Sequence, residues 1–363
     1  MRQHINVGMA GGRRLGGAAI LATLAAVTPP SLGWAQDAAP PMVAALGTCR
    51  FTSGAEVRDC RVAYRAYGRL SPARDNVVLV PTFFAGRSED HAFMLGTYVD
   101  TTRYHVVIVD ALADGHSSSP SNTDPLSRGA FDALTIGDMV ASQRALLREL
   151  GIARVRAVVG ISMGGFQAFE WAVRHPELAD VVVAVVGTPR AGAGDRLIYA
   201  TAVGAAEQAR AVGLQGVEAW RQASRIENLF MGTPGAMEEK GSEGVEADVM
   251  SLAASYARAG WALEDYAAQA RALASHDVSA AFGGSMERAA RAVTARMLVV
   301  FTPDDRMVSP GPAAEFARMV GAEILAVPSP CGHAVFWCED EAVGSVVRDF
   351  IDREGEVAAA RSR

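Results

Sequence analysis

The stretch "VRAVVGISMGGFQAFEWAVRH", residues 155–175, decides the fold of this chain. A short β-branched run leads directly into apolar residues with helical spacing, so a strand is followed at once by a helix. Ser162 lies at the junction and, between Gly160 and Gly164, fits the pattern G-x-S-x-G. That pattern marks a sharp turn that exposes a catalytic serine hydroxyl, although a purely structural turn serine satisfies the same three positions. The strand and the helix on either side favour the catalytic interpretation.

Other short apolar runs accompany this strand, with helical patterns between them. They occupy residues 76–81, 104–110, 155–160, 181–187, 296–301 and 322–328. Runs this short and this continuously apolar are typical of parallel strands that are buried on both faces. Between them, residues 135–151 have helical spacing, early acidic residues and a terminal glycine. We predict an α/β fold with a doubly wound, mostly parallel central sheet, which an antiparallel hairpin at residues 48–64 precedes.

Helical segments replace the strand pattern from residue 188 to residue 292, for example at 216–230 and 247–277. An insertion at this point predicts a cap over the carboxyl ends of the strands, where such folds bind ligands. The alternative is that these helices extend the outer layer of the core. The predicted organisation is a signal peptide (1–35), a first core segment (36–187), a helical cap before the last two strands (188–292) and a second core segment (293–363).

The N-terminal residues have the composition of an export signal. Arg2, Arg13 and Arg14 precede an apolar run that is too short to span a bilayer, and Gly33-Trp34-Ala35 fits a cleavage site. We expect cleavage after Ala35, a periplasmic or secreted mature protein, and no stable membrane insertion afterwards. An uncleaved anchor is one alternative, and the arginine pair leaves general and twin-arginine export both open.

Composition limits the classes of partner. The chain has 363 residues, 50% of them hydrophobic, which is enough for one large domain with an insertion. The formal net charge of −6 argues against a nucleic-acid partner, because no basic surface is available to neutralise phosphates. The histidines and cysteines lack the spacing of metal ligands, so no metal and no cofactor are predicted. The expected partner is a small-molecule ester, and a homodimer stays open.

Two pairs of cysteines are candidates for disulfide bonds in an exported protein. With Gly54 and Ala55 at the centre of a two-residue hairpin turn, Cys49 falls opposite Cys60. The second pair, Cys331 and Cys338, brackets a histidine, and a bond there would pin the loop that carries it. Free, buried thiols are the alternative for both pairs.

A serine hydroxyl needs a base, and His333 is the best placed of seven histidines. It follows the last predicted strand and precedes the final helix, where α/β hydrolases carry their base in the order serine, acid, histidine. The acid should follow the strand at 296–301, where Asp304 and Asp305 are adjacent. We favour Asp305, because the pattern D-x-x-V-x-P usually begins at the acid. Asp304 is the alternative.

The oxyanion of acyl transfer needs two backbone N–H donors. One is expected from Met163, directly after the serine, and the other from the loop that follows the strand at 76–81. Phe84 is the best candidate in that loop, and Phe83 is the alternative.

Five stretches of the chain together are more specific than the serine motif alone: "YRAYGRL" (64–70), "DGHSSSPSNT" (114–123), "TIGDMVASQRALL" (135–147), "VVGISMGGFQAFEWAVRHPE" (158–177) and "SPCGHAVFW" (329–337). They resemble the homoserine O-acetyltransferase family of the α/β-hydrolase superfamily, over nearly all of the mature chain. The resemblance implies the α/β-hydrolase fold, the triad Ser162, Asp305 and His333, and Phe84 as the loop donor. It also implies catalysis through an acyl-serine intermediate.

Departures from the family pattern shape the functional hypothesis. Ala334 stands where members that use homoserine have an aspartate, and the arginine-containing stretch of the family's cap has no counterpart in 205–220. A buried ammonium group needs such a carboxylate. We therefore expect an exported serine hydrolase that cleaves small carboxylic esters such as acetates. An acyl-CoA-dependent O-acyltransferase is the first alternative, and a non-catalytic binding protein is the second.

Overall fold

The central sheet has eight strands in the computed structural model, which describes residues 40–353. The strands are β1 (Met42–Arg50), β2 (Glu56–Tyr67), β3 (Val77–Pro81), β4 (His105–Val109), β5 (Val155–Ile161), β6 (Ala179–Val185), β7 (Arg296–Phe301) and β8 (Glu323–Ala326). They lie in the order β1-β2-β4-β3-β5-β6-β7-β8. The predicted signal peptide, 1–35, and its cleavage site fall outside the described residues.

Parallel pairing dominates this sheet. β2 pairs antiparallel with both β1 and β4, and every other neighbouring pair is parallel. The predicted α/β fold, with its mostly parallel sheet and its N-terminal antiparallel hairpin, is therefore confirmed. The inner strands are buried on both faces because alternate side chains enter two different cores. Leu79 and Val158 enter one core, and Val78 and Val159 enter the other.

β8 differs from the prediction of strands buried on both faces. Three of its four residues are exposed. The reason is its position, because β8 is the edge strand and pairs only with β7. Its apolar residues therefore face solvent more than an apolar run would indicate.

Helices cover the sheet on both faces. In the described residues they are α1 (Pro125–Arg128), α2 (Ile136–Glu149), α3 (Met163–Arg174), α4 (Ala193–Ala211), α5 (Gly216–Met231), α6 (Pro234–Arg258), α7 (Leu263–Ala274), α8 (Met286–Ala292), α9 (Pro310–Val320), α10 (Val335–Cys338) and α11 (Asp340–Asp352). Four short 3₁₀ helices join them, at Ser88–Met94, Gly129–Ala133, Val278–Phe282 and Gly332–Ala334. Between residues 40 and 353, no helix is both long and apolar enough to cross a membrane.

The helices α4 to α8 lie between β6 and β7, at the place in the chain where the cap is predicted. The boundaries of the cap as a domain stay a prediction. Within it, the segment 247–277 is not one continuous helix, because α6 ends at Arg258 and α7 begins at Leu263. Gly260 lies in the connection with φ +64°, a left-handed conformation that favours glycine and ends a helix.

The hairpin of β1 and β2 has a different register from the predicted one. Cys49 lies opposite Val57, and Cys60 lies opposite Gly47, on either side of which the pairing of β1 is irregular. The connection is a five-residue loop, 51–55, rather than a two-residue turn at Gly54 and Ala55. Cys49 and Cys60 are nevertheless joined by a disulfide bond, with Cα atoms 5.6 Å apart.

Candidate active site

Ser162 lies on a strained turn between β5 and α3. Its backbone has φ 53° and ψ −120°, a conformation that non-glycine residues rarely adopt and that recurs at functional sites. The two glycines of the motif make the turn sterically feasible. A Cβ atom on Gly160 would lie 1.8 Å from the carbonyl oxygen of Gly164, and one on Gly164 would lie 2.5 Å from that of Pro81. The glycines therefore let α3 begin directly against the end of β3.

Ser162, His333 and Asp305 form one hydrogen-bonded row. The distance from Ser162 Oγ to His333 Nε2 is 2.8 Å, and that from His333 Nδ1 to Asp305 Oδ2 is also 2.8 Å. With the ring proton on Nδ1, the imidazole accepts from the serine and donates to the carboxylate. All three residues are nearly buried, at 7%, 1% and 8% exposure in that order. The geometry is that of a nucleophile, its base and the acid that orients the base.

The loop after β7 holds Asp305 in place. Its Oδ1 accepts hydrogen bonds from the backbone N–H groups of Met307 and Val308, each at 2.9 Å. Its other oxygen is thereby left for His333. The neighbouring Asp304 is exposed and makes no contact with His333 among the described residues. The structure thus places Asp305, and not Asp304, beside the histidine.

The loop that carries His333 is anchored twice. A disulfide bond joins Cys331 to Cys338, with His333 between them. On the other side, the N–H and the hydroxyl of Thr233 both donate to the carbonyl of Pro330, at 3.3 and 2.8 Å. Thr233 lies between α5 and α6, so the helical insertion directly supports the histidine loop.

Removing the Cys331–Cys338 bond is expected to lower activity as well as stability. Cross-linking a loop of this length contributes about 2–3 kcal/mol in the chain-entropy description, and without it His333 is less precisely held. The double variant Cys331→Ser/Cys338→Ser should unfold at a lower temperature and show a kcat for ester hydrolysis reduced by about tenfold. The matched control is Cys49→Ser/Cys60→Ser in the distant hairpin, which should lose stability with little change in kcat. Equal kcat losses in both variants would contradict the role of the bond in holding His333.

Two backbone N–H groups are candidates for the oxyanion donors. Met163 is the first residue of α3, where backbone N–H groups have no intrahelical acceptor. In the loop after β3, the N–H of Phe84 has no hydrogen-bond acceptor within residues 40–353. The N–H of the alternative, Phe83, donates to His91 Nε2 at 3.1 Å and is therefore occupied. The contacts favour Phe84 over Phe83 as an oxyanion donor.

Three further histidines have a pKa that burial lowers, and no function is predicted for any of them from the sequence. Burial lowers the pKa of His91 and of His175 to about 4 and that of His276 to about 3. They are therefore neutral at neutral pH. In the part of the chain that the structure describes, His333 is the histidine that contacts Ser162.

One cluster of potential metal ligands lies outside this row. Glu89, Asp110 and His116 place one ligand atom each within 4.8 Å of one another. Such a set can bind a divalent cation. Arg65 Nη2, however, lies 3.2 Å from Glu89 Oε2, and Asp110 accepts hydrogen bonds from the backbone and the side chain of Ser88. We assign no metal to the cluster, because an arginine already neutralises part of its charge.

A buried carboxyl group ties three helices of the insertion together. Glu227 of α5 accepts hydrogen bonds from Tyr256 of α6 at 2.7 Å and from Tyr266 of α7 at 2.9 Å. Burial raises the pKa of Glu227 to about 7, even though both tyrosine hydroxyls lower it. The ring of Tyr266 in turn packs on the ring of Phe84, with centroids 4.6 Å apart. The carboxyl group therefore lies one side chain away from Phe84, which belongs to the loop after β3 at 82–87; we call this segment the oxyanion loop because Phe84 is the candidate oxyanion donor.

Glu227→Gln should stabilise the protein at alkaline pH and not at acidic pH. The native pKa of Glu227 lies above its unfolded value of 4.5, so the free energy of unfolding falls as pH rises from about 4.5 to about 7. Glutamine has no such dependence and keeps an acceptor for the tyrosines. Urea unfolding should show a gain of about 3 kcal/mol at pH 8 and almost none at pH 4. The exposed control Glu239→Gln should show no pH-dependent difference, and the same result for Glu227→Gln would contradict the burial argument.

Comparison with protein families gives a match that spans most of the chain. A sequence profile of the alpha/beta hydrolase fold family matches residues 75–340. The ethyl acetate hydrolase of Pseudomonas veronii is 36% identical over 150 residues, which are 40% of this chain and 43% of that protein. The homoserine O-acetyltransferase of Chlorobaculum tepidum is 28% identical over 327 residues, 82% of this chain and 90% of that protein.

The alignments with the first curated relatives cover less than half of the length of those relatives. Among solved structures, the acetylester hydrolase from Corynebacterium glutamicum superposes with a TM-score of 0.78 at 23% identity, over 86% of this chain and 96% of that one. At this identity the likeness shows the fold alone. The predicted resemblance to homoserine O-acetyltransferases is confirmed as a sequence similarity. The chain is also similar in sequence to esterases.

Proposed function

This chain belongs to the alpha/beta hydrolase fold family, and from that premise we propose that it is a serine hydrolase of small carboxylic esters. The observation that carries the proposal is the hydrogen-bonded row Ser162–His333–Asp305, whose serine lies on a strained turn between β5 and α3. The similarity to an ethyl acetate hydrolase supports an ester of a short acid.

The first half of the reaction forms an acyl-enzyme. Ser162 Oγ attacks the carbonyl carbon of the ester while His333 Nε2 takes the hydroxyl proton. The negative oxygen of the tetrahedral intermediate accepts hydrogen bonds from the N–H groups of Met163 and Phe84. When the intermediate collapses, the bond to the alcohol oxygen breaks and His333 returns the proton to the leaving alkoxide. Asp305 keeps the imidazole in the required tautomer and stabilises the imidazolium.

The second half of the reaction consumes water. His333 takes a proton from a water molecule, the resulting hydroxide attacks the acyl carbon, and the bond to Ser162 Oγ breaks as His333 returns the proton to it. The carboxylic acid then leaves. An acyltransferase differs only in the molecule that attacks at this step. Ala334, directly after the base, supplies no charge with which to bind an amino-alcohol acceptor, and this supports water as the acceptor.

We also propose that the enzyme acts outside the cytoplasm, in the periplasm or as a secreted protein. The predicted signal peptide at 1–35 supports this location. So do the bonds Cys49–Cys60 and Cys331–Cys338, because disulfide bonds persist in oxidising compartments. Acetyl-CoA and homoserine are cytosolic metabolites, so an exported enzyme would encounter water far more often than either.

Acceptor partition tests the proposed function. The purified protein is given p-nitrophenyl acetate, first alone and then with homoserine or simple alcohols, and acetate is quantified against acetylated acceptor. We expect release of acetate as the main product under every condition. The proposal would be wrong if acetylated acceptor were the main product, or if turnover occurred only with acetyl-CoA and homoserine. Either result would favour a second candidate function. That candidate, an O-acyltransferase, is supported by the long alignment with a homoserine O-acetyltransferase.

A further inference from the structure

We infer that His91 and Gln269 are positioning residues for the oxyanion loop, because they occupy the backbone N–H groups on either side of the one at Phe84. The loop after β3 presents three consecutive N–H groups, those of Phe83, Phe84 and Ala85. Phe83 N–H donates to His91 Nε2 at 3.1 Å, and Ala85 N–H donates to Gln269 Oε1 at 3.0 Å. The middle donor alone is left for the substrate. This inference rests on the proposed function, in which Phe84 N–H binds the oxyanion.

His91 is held so that its Nε2 can only accept. The residue is completely buried, and its Nδ1 lies 3.0 Å from the carbonyl oxygen of Arg87, which requires the ring proton to be on Nδ1. Nε2 therefore carries a lone pair toward Phe83 N–H. Burial lowers the pKa of His91 to about 4, so this tautomer stays neutral at the pH at which ester hydrolysis would be measured. The imidazole also packs against the Phe83 ring, with centroids 4.2 Å apart.

Gln269 fixes the other side of the loop from the helical insertion. It lies in α7, it is completely buried, and it is 184 residues away from Ala85 in sequence. Its Nε2 donates to the carbonyl of Leu112 at 3.3 Å, which orients the amide so that Oε1 faces Ala85 N–H. Ala85 has φ 52°, a left-handed conformation that a non-glycine residue keeps only when its surroundings hold it. The Gln269 contact supplies such a restraint.

The two contacts together set the direction of the middle peptide group. Rotation of the Phe84 peptide group would have to break the hydrogen bond of Phe83 N–H or that of Ala85 N–H, and the released N–H would then be buried without an acceptor. An oxyanion hole is effective because its donors are already aimed before the charge develops. His91 and Gln269 would therefore affect the transition state and leave binding of the ground-state ester almost unchanged.

Four variants test this inference in the full chain. His91→Phe keeps a ring against Phe83 without the acceptor, and Gln269→Met keeps the length of the side chain without the amide. We expect each to lower kcat for p-nitrophenyl acetate by about tenfold to a hundredfold, with KM within about twofold. His91→Gln restores an acceptor and should recover most of kcat. In the double variant His91→Phe/Gln269→Met, kcat should fall by a smaller factor than the product of the two single-variant factors, because both residues orient one peptide group.

The control is His175→Phe, another histidine that stacks on an aromatic ring and has a pKa lowered by burial, but at the far end of α3. It should leave kcat unchanged. Affinity for a trifluoromethyl ketone, which forms a hemiketal oxyanion on Ser162, should fall by the same factor as kcat in the first two variants. A kcat for both His91→Phe and Gln269→Met equal to that of the wild type would overturn the inference. So would a kcat for His91→Gln no higher than that for His91→Phe, since the ring would then only fill space.

A second measurement tests the positioning role of His91 and Gln269 independently of the proposed esterase activity. If the wild type does not hydrolyse esters, the rate at which a fluorophosphonate labels Ser162 takes the place of kcat, because its phosphoryl oxygen occupies the same hole. Slower labelling in His91→Phe and Gln269→Met would then still support the positioning role. Unchanged labelling in both would overturn it. If His91→Phe does not fold, Gln269→Met alone decides the outcome.

Discussion

Replacing Ser162 with alanine is expected to lower kcat for p-nitrophenyl acetate by about a millionfold, to the residual rate that substrate binding and the oxyanion donors provide. The reason is that no other hydroxyl in the described residues contacts His333, whose Nε2 lies 2.8 Å from Ser162 Oγ. Thermal unfolding should change little, because the alanine fits a site where the serine side chain contributes one hydrogen bond. The measurement is initial-rate hydrolysis of wild type and variant at equal concentration.

The matched control for this substitution is Ser142→Ala. Ser142 is also buried, but it lies in α2 and donates only to the carbonyl of Met139. Its removal should leave kcat within about twofold, since it contacts none of the proposed catalytic groups. Similar rates for Ser162→Ala and Ser142→Ala would remove Ser162 from the mechanism.

Asp305→Asn should lower kcat by about ten-thousandfold. An asparagine has one oxygen acceptor, whereas Asp305 uses one oxygen for Met307 and Val308 and the other for His333. If the amide oxygen keeps the backbone contacts, the amide nitrogen faces His333 Nδ1 and favours the wrong tautomer. The pH profile of kcat/KM should change together with kcat, because the base loses its charged partner.

The neighbouring Asp304→Asn serves as its control and also decides between the two adjacent acids. Asp304 is exposed and does not contact His333, so its variant should retain kcat within about twofold. A large loss in Asp304→Asn with activity retained in Asp305→Asn would reverse the assignment of the acid.

Local patterns were sufficient to predict much of this molecule. The strand and helix around Ser162, and the loops after β7 and β8, are short segments whose order along the chain determines which edge of the sheet they reach. Asp305 and His333 could therefore be expected near Ser162, and the structure brings them within hydrogen-bonding distance. The mostly parallel sheet followed from the same alternation of strands and helices.

Features that depend on contacts between distant segments could not be predicted in this way. Gln269 reaches the oxyanion loop from 184 residues away, and no spacing in the sequence indicates that contact. The Tyr256–Glu227–Tyr266 cluster likewise requires three packed helices. The predicted register of the hairpin was wrong because a five-residue loop, 51–55, connects the strands in place of a two-residue turn, and the irregularity at Gly47 alters the pairing again.

Active-site titration with a fluorophosphonate tests the central claim most directly, that ester hydrolysis proceeds through Ser162. The reagent is added in increasing amounts to the purified protein, residual esterase activity is measured, and peptide mass spectrometry locates the adduct. We predict a linear loss of activity that reaches zero at one adduct per chain, with the adduct on Ser162. Full esterase activity in protein that is completely labelled at Ser162, or complete inactivation with the adduct on another residue, would contradict the account.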